Sequence, residues 1–356
     1  MKKKNKKKNL TDKNVSAIIL IMKALTSITT MQDLADAAGV SLATVSRVFS
    51  GSNKVSDKTK EKVMELVKQS GFCPNETART MAAGKSRLIA VILPDIENPF
   101  FSKLLSEVEE KCVESGYSMI FFNSKGDSEK EKDIVTKMMA RQADGMLICM
   151  TKVKSEMIPV LKTAKYPVVV MARNIEGLNS VGIDHVDGGR LAADYLLENQ
   201  CKSFFYFGLT EDEKFIGFNE ELLAKGIQEK DIHAFADKNW YYSELNEAAE
   251  IMDKFMQENV KSSKAGLFCV NDLFALQAIS AAHRNNIDVP GQLSIIGFDN
   301  INVCDLSYPT LSSISQPMDK IASESFRLLM EKINEKEGNG SVENIVLQPS
   351  LIKRDS

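Results

Sequence analysis

The chain has 356 residues, of which 44% are hydrophobic and 26% are charged, a composition that excludes a largely disordered protein and allows more than one globular domain. No apolar run approaches the roughly 18 residues that a membrane-spanning helix needs, which argues against a membrane protein. The net charge of −3 hides an asymmetry: residues 1–84 carry 15 Lys and Arg against 7 Asp and Glu, whereas the rest of the chain carries 30 against 41.

Residues 1–29 form a basic N-terminal extension for which we predict no fixed structure. The string MKKKNKKKNL and the apolar run 15–22 loosely resemble a signal peptide, but Lys23 interrupts the run and no small-residue cleavage site follows. Two interpretations stay open. The extension is a basic arm that adds salt-sensitive affinity for a polyanion, or Met22 is the natural start and residues 1–21 do not belong to the protein.

The string TMQDLADAAGVSLATVSRV, residues 30–48, predicts two short helices about a glycine turn. In the first helix Leu34, Ala35 and Ala38 share one face. Thr30 is placed to cap its N-terminus, with an acidic residue three positions later, and Gly39 is placed to end it in a left-handed conformation.

We expect Ser41 to cap the second helix, 42–49, with Val45 and Val48 pointing inward. Its outer face then carries Leu42, Ala43, Ser46 and Arg47. A third helix is predicted between a Ser56 cap and Gly71, with the apolar stripe Val63, Leu66 and Val67. Three such helices are typical of a helix-turn-helix domain, in which the second helix enters the major groove of DNA. Taken alone, the first two helices are equally compatible with an ordinary helical hairpin.

The strings AGVS-x-A-TVSRV, VS-x-K-T-K-x-KV and GF-x-PN-x-x-AR follow one another without a gap, and together they resemble the DNA-binding headpiece of the LacI/GalR family. The resemblance implies that Leu42, Ala43 and Arg47 read base edges. It also implies phosphate contacts, which position the domain without specifying sequence, from Thr44, Ser46, Ser50 and Asn53. On this basis residues 30–74 form the DNA-binding domain.

Residues 75–86 resemble the hinge helix and linker of the same family. In the family this helix folds when the dimer meets its operator, and it enters the minor groove; Asn75, Ala78 and Met81 are the matching contact positions. The family usually wedges a leucine between the central base pairs, and Met81 occupies that position here. The alternative for Met81 is a packed linker residue.

From residue 87 onward apolar runs alternate with helical segments, which predicts a mostly parallel, doubly wound α/β architecture in two halves. The predicted strands are LIAVILP, SMIFFNS, GMLICM and PVVVMA in the first half, and SFFYFG, GLFCV and LSIIGFD in the second. A ligand is then expected in the cleft between the halves, at the carboxyl ends of the strands.

Five strings in this region resemble the periplasmic-binding-protein-like effector domain of the LacI/GalR family: PDIENPFF, VGIDHVDGGR, VNDLFALQAI, VPGQLSIIGFDN and PTLSSISQP. By that topology residues 87–356 form two lobes, and the chain crosses between them near Val186, Ile314 and Ile345. The N-lobe is then 87–186 with 315–344, and the C-lobe is 187–314 with 345–356. We expect a homodimer, because the chain ends at LIKRDS, without the leucine-repeat helix that some relatives use to form tetramers.

The resemblance also implies a sugar site in the cleft, which needs hydroxyl acceptors, amide donors and an aromatic face. Asp272 is the implied sugar-hydroxyl acceptor, with Asn271 beside it and Asp299 at another strand end. Trp240 falls at the family's aromatic position, and Phe100 and Phe101 are expected to line the other lobe. The alternatives are a helix cap for Asp272, core packing for Trp240 and packing for Phe100.

Two positions depart from the common pattern of the family. Lys214 stands where an arginine is usual, and a lysine offers a point charge instead of a planar fork. Arg173 follows Ala172, where many relatives have an acidic residue, and MAR resembles the trehalose-phosphate-responsive repressors. Arg173 together with Lys214 would suit a phosphorylated or carboxylated sugar. The alternative is a solvated or salt-bridged Arg173.

Six scattered cysteines and three distant histidines show no metal-ligand spacing, so we expect free buried thiols in the reducing cytoplasm and no cofactor or metal. No nucleophile–base pair or phosphate-binding loop is evident, which argues against an enzyme. The sequence therefore predicts a DNA-binding transcriptional repressor that is controlled by a sugar or sugar phosphate. The alternative is a catabolite-control-type regulator that is driven by a protein partner such as phosphorylated HPr.

Overall fold

A computed structural model describes residues 28–49, 54–72, 85–141, 143–151, 156–235, 245–261, 263–335 and 341–356. The chain divides into two compact units, Met1–Ser86 and Arg87–Ser356. Within the described residues, no helix combines the length and the apolar character needed to span a bilayer.

The first unit contains the three predicted helices, α1 (Met31–Ala38), α2 (Leu42–Phe49) and α3 (Asp57–Ser70). The predicted capping of α1 is confirmed: the Asp33 amide donates to the Thr30 hydroxyl, and the Asp33 carboxylate accepts from the Thr30 amide. Local hydrogen bonds between neighbouring residues therefore set where α1 begins.

The core of this unit is formed by the residues that the pattern placed inward, with Ile28 and Phe72 added at its ends; its buried members are Ile28, Leu34, Ala35, Ala38, Val45, Val63 and Phe72. The partly buried side chains that pack against it include the predicted Val48, Leu66 and Val67. The predicted inside and outside faces of α2 are thus confirmed, because burying its valines turns its polar and basic side chains outward.

The second unit alternates strands and helices. Its first part contains β1 (Leu88–Leu93), α4 (Pro99–Glu114), β2 (Ser118–Asn123), α5 (Ser128–Ala140), β3 (Gly145–Ile148), α6 (Met157–Lys162), β4 (Val168–Ala172) and β5 (Asn179–Ile183). The next part contains α7 (His185–Glu198), β6 (Ser203–Phe207), α8 (Glu213–Ala224), β7 (Ile232–Ala234), α9 (Leu245–Asn259), β8 (Ala265–Cys269), α10 (Asp272–Arg284), β9 (Leu293–Asp299) and β10 (Ser312–Ser315). The last part contains α11 (Met318–Asn334), β11 (Asn344–Leu347) and β12 (Ser350–Ile352), and two short 3-10 helices lie at Glu229–Asp231 and Asn302–Leu306.

The strands form two six-stranded sheets, in the orders β11-β5-β4-β3-β1-β2 and β12-β10-β9-β8-β6-β7. Every pairing is parallel except that of β12 with β10. Strands β3, β4, β8 and β9 are buried along their whole length, as expected where helices cover both faces of a parallel sheet. The predicted two-lobed architecture with parallel sheets is confirmed.

The sequence analysis did not predict five of the strands, because they lack a long apolar run. They are β5, β7, β10, β11 and β12. The sequence of β10 is SSIS, and its first three residues are nevertheless buried. Such a strand is stable only because neighbouring strands satisfy its backbone and its hydroxyl groups find partners, which a local pattern does not reveal.

The chain passes between the two sheets three times, and two of the predicted lobe boundaries need correction. Residues 345–347 pair with β5 in the first sheet, so the third crossing lies between β11 and β12 and not at residue 345. Ser315 pairs with Asp299 in the second sheet, so the N-lobe resumes only after Ser315. In both cases the strand stays paired up to its last residue, and the chain changes lobe only after the strand ends.

Helices α7 and α8 approach each other so closely that two glycines at their contact leave no room for a side chain. A Cβ on Gly189 would lie 2.0 Å from the Lys214 carbonyl oxygen, and one on Gly217 would lie 1.8 Å from the Val186 carbonyl oxygen. This contact sets the position of the first turn of each helix.

We predict that Gly217→Ala lowers the free energy of unfolding by more than about 3 kcal/mol, because the new methyl group meets rigid backbone. Gly226→Ala is the control: nothing lies within 4 Å of its Cβ, and only its φ of +87° opposes the change, which should cost about 1 kcal/mol. Urea denaturation of both variants measures the difference, and equal losses would contradict this account of the helix contact.

Candidate functional site

In the first unit, the outward face of α2 carries the predicted base-reading side chains. Leu42 is 45% exposed, and Ala43, Ser46 and Arg47 are also exposed. Thr44 is half-buried, and its hydroxyl lies 2.9 Å from that of Ser41, which also accepts from the Thr44 amide and so caps the helix. The remaining predicted contact residues lie outside the described residues; they are Ser50, Asn53, Asn75, Ala78 and Met81.

In the second unit a cavity of about 160 Å³ opens between the two lobes. A single water needs only about 10–15 Å³, so the cavity has room for a small organic molecule. Most of its lining follows the carboxyl ends of the strands, where a parallel sheet presents loops and helix N-termini. The lining residues are Pro94, Asp95, Asn98, Phe100, Phe101, Cys149, Met150, Thr151, Met171, Ala172, Arg173, His185, Gly208, Leu209, Asp212, Lys214, Val270, Asn271, Asp299 and Gln316.

The cavity brings together six of the eight predicted effector residues: Phe100, Phe101, Arg173, Lys214, Asn271 and Asp299. Trp240 lies outside the described residues. The expected role of Asp272 is corrected, because its carboxylate is fully buried beneath the cavity and is absent from its lining. It accepts hydrogen bonds from the Ser313 hydroxyl and the Ile301 amide instead.

Three of the helices that begin at the cavity have a lining residue as their N-cap. Asn98 caps α4 and Asn271 caps α10, each through its side-chain oxygen. Because these oxygens accept from backbone amides, the side-chain NH2 groups are left to donate elsewhere, and that of Asn98 hydrogen-bonds the Asp299 carboxyl group. Asp212 caps α8 in the same way. The alternative of Asp272 as a helix cap is also wrong, since Asn271 is the N-cap and Asp272 is the first residue of the helix.

Lys214 already has its charge balanced inside the protein. Its Nζ donates to the Val270 carbonyl at 2.9 Å, lies 3.7 Å from the Asp212 carboxylate and sits 4.6 Å from the centre of the Phe298 ring. Burial opposes ionisation of Asp212, but the positive charges of Lys214 and Arg173 outweigh it and hold the pKa of Asp212 at about 2. Lys214 therefore attracts an anionic ligand less strongly than its formal charge suggests.

Arg173 retains more freedom, with a side chain that is 30% exposed and an Nη1 that lies 4.0 Å from the Glu213 carboxylate. The residue before it, Ala172, has a φ of +62°, which is unusual for a residue with a side chain. A Cβ on Gly182 of the neighbouring strand would lie 2.6 Å from the Arg173 carbonyl carbon. The bend at Ala172 and the absence of a side chain at Gly182 together set where Arg173 leaves the sheet.

His185 lines the cavity although the sequence analysis considered it only as a metal ligand. Its ring stacks on Phe298 at 5.8 Å, with an interplanar angle of 10°. Burial, with the charges of Arg173 and Lys214, lowers its pKa well below the usual value. His185 is thus a neutral ring at physiological pH, and it can exchange hydrogen bonds with a ligand without changing the charge of the site.

The sequence analysis missed six further polar or thiol-bearing side chains of the lining: Asp95, Asn98, Cys149, Thr151, Asp212 and Gln316. The sequence held a signal for two of them, since Asp95 comes two residues and Thr151 three residues after a buried strand. The buried Glu131 accepts hydrogen bonds from both the amide and the hydroxyl of Thr151. The Thr151 oxygen therefore offers only its acceptor side to the cavity.

The five described cysteines are free and buried: Cys112, Cys149, Cys201, Cys269 and Cys304. Among the described residues no group of three or more His, Cys, Asp or Glu side chains could hold a metal ion. Burial raises the pKa of the Cys112 thiol to about 12, so this thiol is unreactive at neutral pH.

Asp272 and Asp299 form a buried pair whose ionisation should make stability depend on pH. Burial raises the pKa of each carboxyl group, and the charge of Asp299 raises that of Asp272 further. A carboxyl group with a raised pKa in the folded state binds its proton more tightly there than in the unfolded chain, so its ionisation costs stability as the pH rises. We predict that Asp272→Asn has a constant stability offset from its disturbed hydrogen bonds, and that its stability relative to the natural protein then rises as the pH increases from about 4 to the pKa of about 8. Thermal unfolding across this range tests the sign, and a constant difference would contradict it.

Comparison with known proteins matches both units of the chain. The family "Bacterial regulatory proteins, lacI family" matches residues 30–75, and the "Periplasmic binding protein-like domain" matches residues 193–356. Catabolite control protein A of Priestia megaterium is 32% identical over 322 residues, which are 88% of this chain and 95% of that protein. The transcriptional repressor PurR of Vibrio parahaemolyticus is 29% identical over 338 residues, which are 92% of this chain and 98% of that protein.

A solved LacI family transcriptional regulator from Enterococcus faecium, with bound ribose, has a TM-score of 0.66 and 26% identity, covering 76% of this chain and 98% of that one. The matches thus include the helix-turn-helix unit as well as the two-lobed unit. The chain therefore belongs to the LacI family of bacterial transcriptional regulators, which bind DNA through their helix-turn-helix domain.

Proposed function

We propose that this chain is a repressor that binds a roughly palindromic operator as a homodimer, and that a sugar or sugar phosphate in the cleft sets its operator affinity. The observation that carries the proposal is the cavity between the lobes, because both lobes contribute residues to its lining. The 29% identity to a protein named as a transcriptional repressor supports the direction of regulation.

The DNA-binding half of the proposal rests on the outward face of α2. We propose that Arg47 donates two hydrogen bonds to a guanine, whereas Leu42 and Ala43 offer only apolar contact, for instance to a thymine methyl group. Thr44 and Ser46, with Ser50 and Asn53, are proposed to hold phosphates. In a dimer two such helices read half-sites about one turn of DNA apart. The hinge residues Asn75, Ala78 and Met81 are proposed to complete the contact in the minor groove.

The effector half rests on the chemistry of the cavity. Carboxylates, amide donors and aromatic rings suit a polyhydroxylated ligand: Asp299 accepts, Asn271 donates, and Phe100 with Phe101 offers an apolar surface. The relative with bound ribose supports a sugar. Trp240 remains a proposed stacking residue.

An anionic sugar would depend mainly on Arg173. Lys214 is already paired with Asp212, so its positive charge is largely balanced before any ligand enters. Arg173 has Glu213 at 4.0 Å and an exposed part of its side chain, and it is placed to form a paired hydrogen bond with a phosphate. Such a ligand would change operator affinity only to the extent that it binds one lobe arrangement more tightly than another.

The 32% identity to catabolite control protein A favours a second candidate, a regulator driven by a protein partner such as phosphorylated HPr. The two candidates differ in where control is exerted. A small effector acts in the cavity between the lobes, whereas a protein partner acts on the outer surface and leaves the cavity without a regulatory role. Ligand response of the isolated protein therefore separates them.

We predict that Arg47→Ala weakens specific operator binding by about 1–3 kcal/mol, because a paired contact to one base is lost. Its matched control is Lys68→Ala, which removes the same charge from the end of α3. Fluorescence anisotropy with operator and scrambled DNA measures both variants. An equal loss on the two DNA sequences would assign Arg47 to phosphate contact and contradict base reading.

We predict that Arg173→Ala abolishes the rise in melting temperature caused by a sugar phosphate and leaves the rise caused by the matching sugar unchanged. The probes are ribose, trehalose and their phosphates, since a ligand that binds only the folded state raises its melting temperature. An unchanged response to the phosphates in the variant would contradict anion binding by Arg173. No response to any of the four in the natural protein would favour control by a protein partner.

A further inference from the structure

Strand β9 ends in two consecutive residues with left-handed backbone. Asp299 has a φ of +109° and Asn300 a φ of +54°, although neither is glycine. Such conformations cost free energy and persist only where the surroundings impose them. Here they turn the end of a fully buried strand so that the carboxylate of Asp299 lines the cavity.

Two buried side chains that do not line the cavity hold this turn in place. The Asn300 amide donates to the Ser313 hydroxyl at 3.0 Å, and that hydroxyl donates to the Asp272 carboxylate at 2.6 Å. The other oxygen of the same carboxylate accepts from the Ile301 amide at 2.8 Å. The amides of the two residues after Asp299 are therefore both held, one directly and one through Ser313, by a single carboxylate.

The local packing is built around that carboxylate. Asp272 and Ser313 are both fully buried. A Cβ on Gly297 would lie 2.2 Å from Oδ1 of Asp272, so only glycine at that position of β9 leaves space for the carboxylate. Hydrogen bonds within such a buried group keep their geometry because neither partner has an alternative in water.

The turn matters to the cleft because of what Asp299 binds. Gln316 donates from Nε2 to the Asp299 carboxylate at 2.7 Å, and Gln316 lies in the crossing between β10 and α11. Asp299 thus belongs to the C-lobe by its strand, faces the cavity, and bonds to the segment that leads into the N-lobe. A shift of this carboxylate would change the cavity and the crossing together.

We infer that Asp272 and Ser313 are positioning residues for effector recognition, which act by holding the left-handed turn that carries Asp299 and do not touch the effector. This inference rests on the proposed function only in assigning an effector to the cavity. A change at either residue should displace Asp299, because Ser313→Ala removes the link to the Asn300 amide and a change at Asp272 disturbs the links to both the Asn300 and Ile301 amides.

The test uses three full-length variants: Asp272→Asn, Ser313→Ala and Ser325→Ala. Ser325 is the matched control, since it is a fully buried serine in α11 whose hydroxyl has no hydrogen-bond partner among the described residues. Ser313→Ala changes no charge and leaves Asp272 in place, so it remains informative if Asp272→Asn folds poorly. Crystal structures give the position of Asp299, calorimetric titration with ribose gives the affinity, and thermal unfolding gives the loss of stability.

In Asp272→Asn and Ser313→Ala we expect the Asp299 carboxylate to leave its hydrogen bond with Gln316 and ribose affinity to fall about tenfold, as for the loss of one hydrogen bond. The control keeps both the Asp299 position and the affinity, whatever its melting temperature. An unmoved Asp299 in both variants would overturn the inference. So would a loss of ribose affinity in Asp272→Asn alone, since that result would indicate direct contact. If ribose does not bind the natural protein, that part of the proposed function fails and the crystal structures still decide the role of the turn.

Discussion

The parallel pairing of two separate sheets, joined by three chain crossings, is the constraint on which the effector unit depends. Parallel strands place all their carboxyl ends at one edge of a sheet, and the helices that follow begin there. Because the chain changes sheet after β5, β10 and β11, both sheets contribute that edge to the same cavity. The polar residues that follow strands in the sequence are therefore gathered without any direct sequence signal between them.

The charges of the cavity are largely balanced before a ligand enters. Asp212 balances Lys214, Gln316 donates to Asp299, and His185 is held neutral by burial and by the two cations nearby. A charge buried without a partner would destabilise the fold, so each of these groups is bound to another. The consequence for recognition is that a ligand replaces existing partners and does not meet free charges. Selectivity then depends on geometry more than on net charge.

Glycine positions show how closely this geometry is constrained. Gly189 and Gly217 allow α7 and α8 to approach, Gly182 leaves room for the backbone at Arg173, and Gly297 leaves room for the Asp272 carboxylate. Each contact lies within a few residues of a side chain that lines the cavity. The same glycine contacts thus set both the packing of the lobes and the positions of the side chains that line the cavity. A change at one of these glycines should affect both.

The sequence by itself determined the features that depend on neighbouring residues. The helix caps at Thr30 and Ser41, the turn at Gly39 and the inward face of α2 follow from hydrogen bonds and periodicity within one or two turns, and the apolar strands follow from runs of buried residues. Only the tertiary structure decided the hydroxyl-rich strand β10, the end of the N-lobe at β11, and the different roles of Asp272 and Asp299. Asp272 follows the buried strand β8 by three residues and Asp299 ends the buried strand β9, and neither local sequence shows which carboxylate faces the cavity. Asp272 turns inward because Ser313 and Ile301, which come from distant or later parts of the chain, supply its hydrogen bonds, whereas Asp299 is carried into the cavity by the turn that those bonds hold.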